Sequence, residues 1–171
     1  KIVSWLTSAE MVVRIPFSGN ERDQRDTNNQ KERFLTGVMR AADDNLCARL
    51  LPTVRSQLAW YITMRGWYAG RALLIKNSKE ETKIDITPWD PLNTFWGEGP
   101  DGLEWACYRV RKSPADIKRQ YNLRTLDVEA EGDESIYVYD FYDKEDNYVV
   151  IQDHVLKKRT RHGYDGVPCF I

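Results

Sequence analysis

Cysteine is scarce in this chain. Cys47, Cys107 and Cys169 are three among 171 residues, odd in number and widely spaced. That argues against a disulfide-stapled secreted fold, which draws on an even, closely set complement of cysteines. Histidine is scarcer still, with only His154 and His162, and no cysteine pair has the C-x2–4-C spacing of a zinc site. Net charge is almost absent, since 25 Lys and Arg stand against 26 Asp and Glu. A domain that holds DNA by neutralising phosphates carries a basic excess, which the chain as a whole lacks. No run approaches the roughly 20 apolar residues that span a bilayer, and residues 1–6 turn polar too soon for a signal peptide. A soluble, intracellular protein with no membrane partner is therefore expected.

What the chain does have is 42% hydrophobic and 30% charged residues. That is too apolar and too balanced in charge for a disordered segment, and the length suits one compact domain or two small lobes. It begins at Lys1 and stops in the apolar run Val167-Pro168-Cys169-Phe170-Ile171, so a fragment of a longer protein is expected.

The pattern of apolar residues divides the chain near residue 66. Residues 1–19 predict a short extended lead, with residues 11–17 strand-like and Ser18-Gly19-Asn20 a turn. Residues 21–33 carry four acids and four bases and fit either a loop or the exposed start of a helix. Phe34, Leu35, Val38, Met39, Ala42 and Leu46 then recur three and four apart, a helical stripe. A second helix is predicted from Pro52, with Val54, Leu58, Tyr61 and Ile62 on its apolar face and Gly66 as terminator. These two form a helical hairpin or one helix broken at Pro52.

Beyond Gly70 the period falls to about two, the spacing of strands. Residues 72–75, 84–86 and 103–110 predict strands, with a turn at 77–80. Ser113-Pro114-Ala115-Asp116 reads as a helix start, with Ser as N-cap, Pro in the first position and Asp on the positive end of the dipole. Residues 136–142 and 148–151 predict a hairpin around a five-residue polar loop. Ile136 and Val138 point one way from the first of these strands, and Tyr137, Tyr139 and Phe141 the other. Neither face is polar, so both are expected to be covered, one of them by another subunit. Residues 154–159 and 166–171 add further strands. The fold class expected is α+β: an N-terminal extended lead and helical pair over 1–66, then a β-rich lobe over 67–171 with one inserted short helix near 113–121.

Few residues point to chemistry. Cys169 could meet His162, but two surface histidines and a small buried thiol are the commoner arrangement. No G-x-S-x-G or reactive cysteine context occurs. Gly97-Glu98-Gly99-Pro100-Asp101-Gly102 has glycines enough for a phosphate loop, but its proline and two carboxylates make a surface turn the better reading. Asp85 and Asp90, near Trp89 and Trp96, are the one carboxylate pair that could serve glycoside hydrolysis, against which Asp90-Pro91 is a common turn starter and the tryptophans suit packing. No catalytic, cofactor-binding or metal residue is therefore assigned, and the chain is expected not to be an enzyme.

Charge order says more. Residues 109–124 hold six bases (Arg109, Arg111, Lys112, Lys118, Arg119, Arg124) and one acid, Asp116. Residues 127–146 hold nine acids (Asp127, Glu129, Glu131, Asp133, Glu134, Asp140, Asp143, Glu145, Asp146) and one base, Lys144. Lys157-Lys158-Arg159 with Arg161 is basic again. Such segregation fits solvated faces, or a subunit whose positive patch meets a neighbour's negative one. A nucleic-acid-binding module using residues 109–124 is the alternative, although the adjacent acids repel a backbone laid across both.

Several stretches together resemble the portal (head–tail connector) proteins of tailed bacteriophages. Trp67-Tyr68-Ala69-Gly70-Arg71-Ala72-Leu73-Leu74-Ile75, after a helical pair, is similar to that family's helix–(Y)GxG–strand passage, with Trp67 and Ala69 as departures. Residues 84–96, with Pro88-Trp89-Asp90-Pro91 and Phe95-Trp96, resemble its strand leading into a P-x-x-x-(F/Y)-W turn. Lys112-Ser113-Pro114-Ala115-Asp116-Ile117-Lys118 resembles its strand-to-capped-helix junction, and Gly166-Val167-Pro168-Cys169-Phe170-Ile171 its later strand. The likeness covers residues 20–171 in order.

The resemblance implies a structural virion protein: a homo-oligomeric ring of twelve subunits at one capsid vertex, through which double-stranded DNA is packaged and ejected without sequence-specific binding. Its implied partners are capsid and tail or adaptor proteins and the terminase, and its implied location is the virion, with the host cytoplasm during assembly. The chain would supply most of the peripheral wing, without the stem helices and clip that follow in the family. No cofactor is implied.

Overall fold

The computed structural model describes residues 2–8, 13–16, 22–76, 80–126, 135–152 and 154–171. Helices come first and strands after, the mixed α+β class the periodicity predicts. The change of element type falls between residues 65 and 69, whereas the two compact units divide between Pro88 and Trp89.

The first unit opens on a helix, α1 (Ile2–Ser8), where an extended lead was expected. Val3 and Thr7, four apart, are half-buried, and α1 packs on the helix α3 (Val54–Arg65), whose Arg55 donates to the Leu6 carbonyl at 2.8 Å. Packing of a helical stripe thus overrides the β preference of Ile2 and Val3. Residues 13–16 form no strand, and the rest of the expected strand and turn at 9–12 and 17–20 lies outside the described residues.

The polar segment 21–33 is helical from residue 22. The helix α2 (Arg22–Ala48) has 27 residues, about 40 Å at 1.5 Å each. Its apolar stripe is buried only near the C-terminus, at Ala42 and Leu46, while Phe34 is 69% exposed. The helix ends in a Schellman arrangement: Leu51 N–H donates to the Leu46 carbonyl at 3.0 Å and Leu50 N–H to that of Cys47 at 2.9 Å. Leu50 occupies the left-handed position with φ 58°. The pair is therefore a hairpin of two helices. Helix α3 starts two residues later than Pro52 suggests: Thr53 is its N-cap, accepting from Ser56 N–H at 3.2 Å. Gly66 ends it at φ 83°, donating to the Ile62 carbonyl at 3.0 Å, as expected. Ala59 and Val54 are the residues it buries, while Ile62 remains exposed. The strands β1 (Ala69–Lys76) and β2 (Thr82–Trp89) are hydrogen-bonded neighbours.

The second unit is built on a five-stranded antiparallel sheet in the order β3 (Thr94–Gly99), β4 (Gly102–Lys112), β5 (Ile136–Asp143), β6 (Asp146–Ile151), β7 (His154–Arg161). One face carries the core: Val138, Ile136, Val149 and Ile151 pack with Ile117 of the helix α4 (Pro114–Tyr121). Fully burying a side chain such as Ile117 contributes about 1.5–3 kcal/mol. Helix α4 is capped as its sequence requires, Ser113 Oγ accepting from Asp116 N–H at 3.1 Å, and it stops at Asn122 in the left-handed region. On the same face, Trp89 is 1% exposed and lies flat against Tyr108, with centroids 5.1 Å apart.

The β5–β6 connection is shorter than the five residues expected, because only Lys144 and Glu145 lie between the strands. Asp143 shortens it. Its Oδ1 accepts the N–H groups of Glu145 at 2.9 Å and Asp146 at 2.7 Å, folding the turn against its own side chain. The final expected strand is reduced to β8 (Cys169–Phe170).

Candidate functional site

Strand alternation and register together define the other face of the sheet. Cys107 faces Phe95 on β3 and Phe141 on β5, and Phe141 in turn faces Tyr148 on β6. Every second residue of β4 and β5 joins them, giving Trp105, Arg109, Arg111, Tyr137 and Tyr139. Pairing across four strands thus gathers six aromatic rings and two guanidinium groups on one surface.

The rings are organised as a ladder. Trp105 and Phe141 stack with centroids 5.6 Å apart, and Phe141 and Tyr148 at 4.7 Å. Gly97 on β3 makes room for Trp105, since a Cβ there would lie 2.3 Å from the indole Nε1. At the far end of β4 the guanidinium carbons of Arg109 and Arg111 each sit 4.7 Å from the Tyr137 centroid, and that of Arg109 is also 5.3 Å from Phe95. Arg109 donates to Asn93 Oδ1 at 3.3 Å. Neither arginine has a carboxylate partner among the described residues. Trp105, Tyr137, Tyr139, Phe141 and Tyr148 are half-buried, while Phe95 and Arg111 are exposed. Below the ladder, burial and the nearby Asp140 push the Cys107 thiol up to about 11, and burial raises the Tyr148 phenol.

The charges at the β5–β6 turn pair within the same unit. Arg159 of β7 bridges Asp143 at 2.7 Å and Asp146 at 2.6 Å, and Arg161 meets Glu145 at 3.2 Å. The acids at the β5–β6 turn, read from sequence as a solvated face or a patch for a neighbour, are thus paired with the third basic stretch of the same chain. The other acids of that stretch at 127–134 lie outside the described residues. Burial acts to raise the Asp143 carboxyl, but the two turn N–H groups, Arg159 and His162 outweigh it and hold it below 3.8. In the first basic stretch, Arg111, Lys112 and Arg119 line a cavity of about 320 Å3. There Arg119 binds Asp116 at 2.7 Å and Lys112 reaches Gln120.

The carboxylates considered for catalysis serve structure and fall in different compact units. Asp85 is 4% exposed. It faces Arg71 at 3.3 Å, Arg49 at 3.6 Å and Asn45 at 3.4 Å, and accepts from Thr87 at 3.2 Å, which ties α2 to the β1–β2 pair. Asp90 accepts Leu92 N–H at 3.0 Å and caps a single 3-10 turn, Pro91–Asn93. Trp89 packs in the core, whereas Trp96 is exposed. His162 is fixed between the Asp143 carbonyl at 2.9 Å and the Tyr164 N–H at 3.2 Å, and His154 lies on β7. No cluster of three metal-ligating side chains occurs among the described residues.

Alternation within residues 136–142 separates Tyr137, Tyr139 and Phe141 from the core side of their strand but does not join Phe95, Trp105, Arg109 and Tyr148 to them. Alternation inside 103–110 carried that signal. The expected surface turn at 97–102 is the β3–β4 connection, with Glu98, Asp101 and Glu104 around it. Their side chains are exposed and hold no hydrogen bond or ion pair among the described residues. No helix of the described residues is long and apolar enough to cross a membrane. No protein-family model matches the chain, and no curated protein matches its sequence.

Proposed function

We propose that the chain is the wing portion of a bacteriophage portal subunit, a structural component of the ring through which DNA is packaged and ejected and to which the tail attaches. The observation that carries this is the agreement between motif and element along the chain. The helix–turn–strand passage runs from α3 through Gly66 into β1, and the P-x-x-x-F-W turn links β2 to β3 through the 3-10 turn. The K-S-P-x-D-I-K stretch is a strand running into a Ser-capped helix. These three stretches follow the order the resemblance implies, while the fourth, residues 166–171, forms only the two-residue β8.

The open aromatic face supports the same reading, because tyrosine, tryptophan and arginine are the residues that anchor protein interfaces. A single-stranded nucleic-acid platform needs ring faces on which bases can stack. Here Phe141 has neighbours on both sides, and both arginines lie over Tyr137. Electron microscopy of the full-length product tests the proposal. Closed rings are expected, and a monomer at all concentrations overturns it.

A further inference from the structure

The sheet of the second unit is electrically polarised along β4. At one end Glu98, Asp101 and Glu104 cluster around the β3–β4 turn, which Gly102 closes at φ 98°. The Glu104 side chain folds over Gly99, where a Cβ would lie 2.1 Å from its Oε1. At the other end Arg109 and Arg111 flank Tyr137 on the aromatic face. Neither set has an opposite charge among the described residues, although Arg119, Arg159 and Arg161 of the same unit are all paired. Seven residues separate Glu104 from Arg111, about 23 Å of extended strand, so one copy cannot bring its own acids to its own arginines.

We infer that the aromatic–arginine face receives the acidic β3–β4 turn of an adjacent copy of this chain, with Arg109 and Arg111 taking the carboxylates of Glu98, Asp101 and Glu104. The inference rests on the ring reading above and names the surface through which copies meet. Arg111, exposed and held against a ring, is placed for a bidentate carboxylate. Arg109 adds its charge beside it, with its Nε buried and one N–H given to Asn93, and the hydroxyls of Tyr139 and Tyr148 add donors to the same surface. Docking turn to face is heterologous, so each copy uses both ends of its sheet, and the chain of contacts either closes or continues. Size agrees with this. Four strands by six residues give about 400 Å2, half of the roughly 800 Å2 per partner that a stable pair buries. One such contact holds no dimer, but two per copy, reinforced round a closed ring, hold an assembly.

Charge reversal in the full-length product decides the matter, with mass read by sedimentation or mass photometry across a salt series. R109E/R111E and E98K/D101K/E104K are each expected to weaken association by about 100-fold or more, as loss of close interfacial charge pairs does. The five substitutions together are expected to restore it. All the altered groups are exposed or half-exposed, and an unchanged near-ultraviolet circular dichroism spectrum verifies that each variant is folded. Rings of unchanged mass and salt dependence in both variants overturn the inference and leave the portal reading intact, as does failure of the combined variant to recover. A wild-type product that never associates overturns both. A dT20 oligonucleotide bound by the wild type and lost in R109E/R111E, at unchanged mass, assigns the face to single-stranded DNA and overturns the inference alone.

Discussion

Asp43 of α2 accepts the backbone N–H of Val54 at 2.8 Å, so a side chain from one helix caps the first turn of the next. The contact closes the helical hairpin from inside, together with the Thr53 N-cap. Removing it leaves a helix-terminal N–H without a protein partner, which typically costs about 1 kcal/mol. Asp43→Ala is therefore expected to lower the urea midpoint by about that much, and Asp43→Asn by less, since an amide oxygen still accepts.

Leu50 offers the opposite change. Its φ of 58° is left-handed, a conformation that costs a residue with a Cβ about 1–2 kcal/mol, and its side chain is 94% exposed. Leu50→Gly relieves the strain and gives up almost no buried surface. Equilibrium unfolding is expected to show a gain of about 1 kcal/mol, less whatever glycine adds to the entropy of the unfolded chain.

The β5–β6 turn is expected to lose stability in acid. Asp143 has its pKa lowered on folding, because the turn N–H groups, Arg159 and His162 outweigh the effect of burial. A depressed folded value gives stability that is complete above the unfolded pKa and lost as pH falls through the folded one. The loss thus begins near the ordinary value of 3.8 and continues below it. In Asp143→Asn that part of the pH dependence is expected to vanish, with amide exchange at Glu145 and Asp146 faster at neutral pH.

How much of this was legible beforehand depended on how local each signal was. The Ser113 cap of α4 and the Gly66 stop of α3 are set by residues within one turn of one another, and both appear where the sequence puts them. The α1 helix does not, because its reason lies some fifty residues away in α3. The short β5–β6 turn depends on which N–H groups one aspartate reaches, a choice that composition does not disclose. The aromatic face was half legible: alternation within β5 separated its tyrosines, but only the pairing register places Phe95, Trp105 and Tyr148 beside them. Asp85 and Asp90 looked like a pair because they are close in sequence, while their partners in space are arginines and turn amides.

The cysteines should separate by reactivity. Cys107 is buried with its thiol pushed up to about 11, whereas Cys47 is exposed. The thiolate is the reacting form, so at pH 8 an aromatic disulfide reagent is expected to modify Cys47 quickly and Cys107 only on unfolding. Equal rates at the two positions would contradict the placement of Cys107 beneath the ladder.

Helix α2 carries one more consequence. Its buried anchors, Ala42 and Leu46, sit in the last two turns, while Phe34 and Leu35 twelve and eleven residues before Leu46 remain in solvent. A long helix whose buried residues lie at one end opens from the other. The amides of α2 thus form a clock along its axis. Exchange is fastest near Arg22 and slows turn by turn toward Ala42, and anything that settles on the Phe34 end would be seen as that gradient flattening.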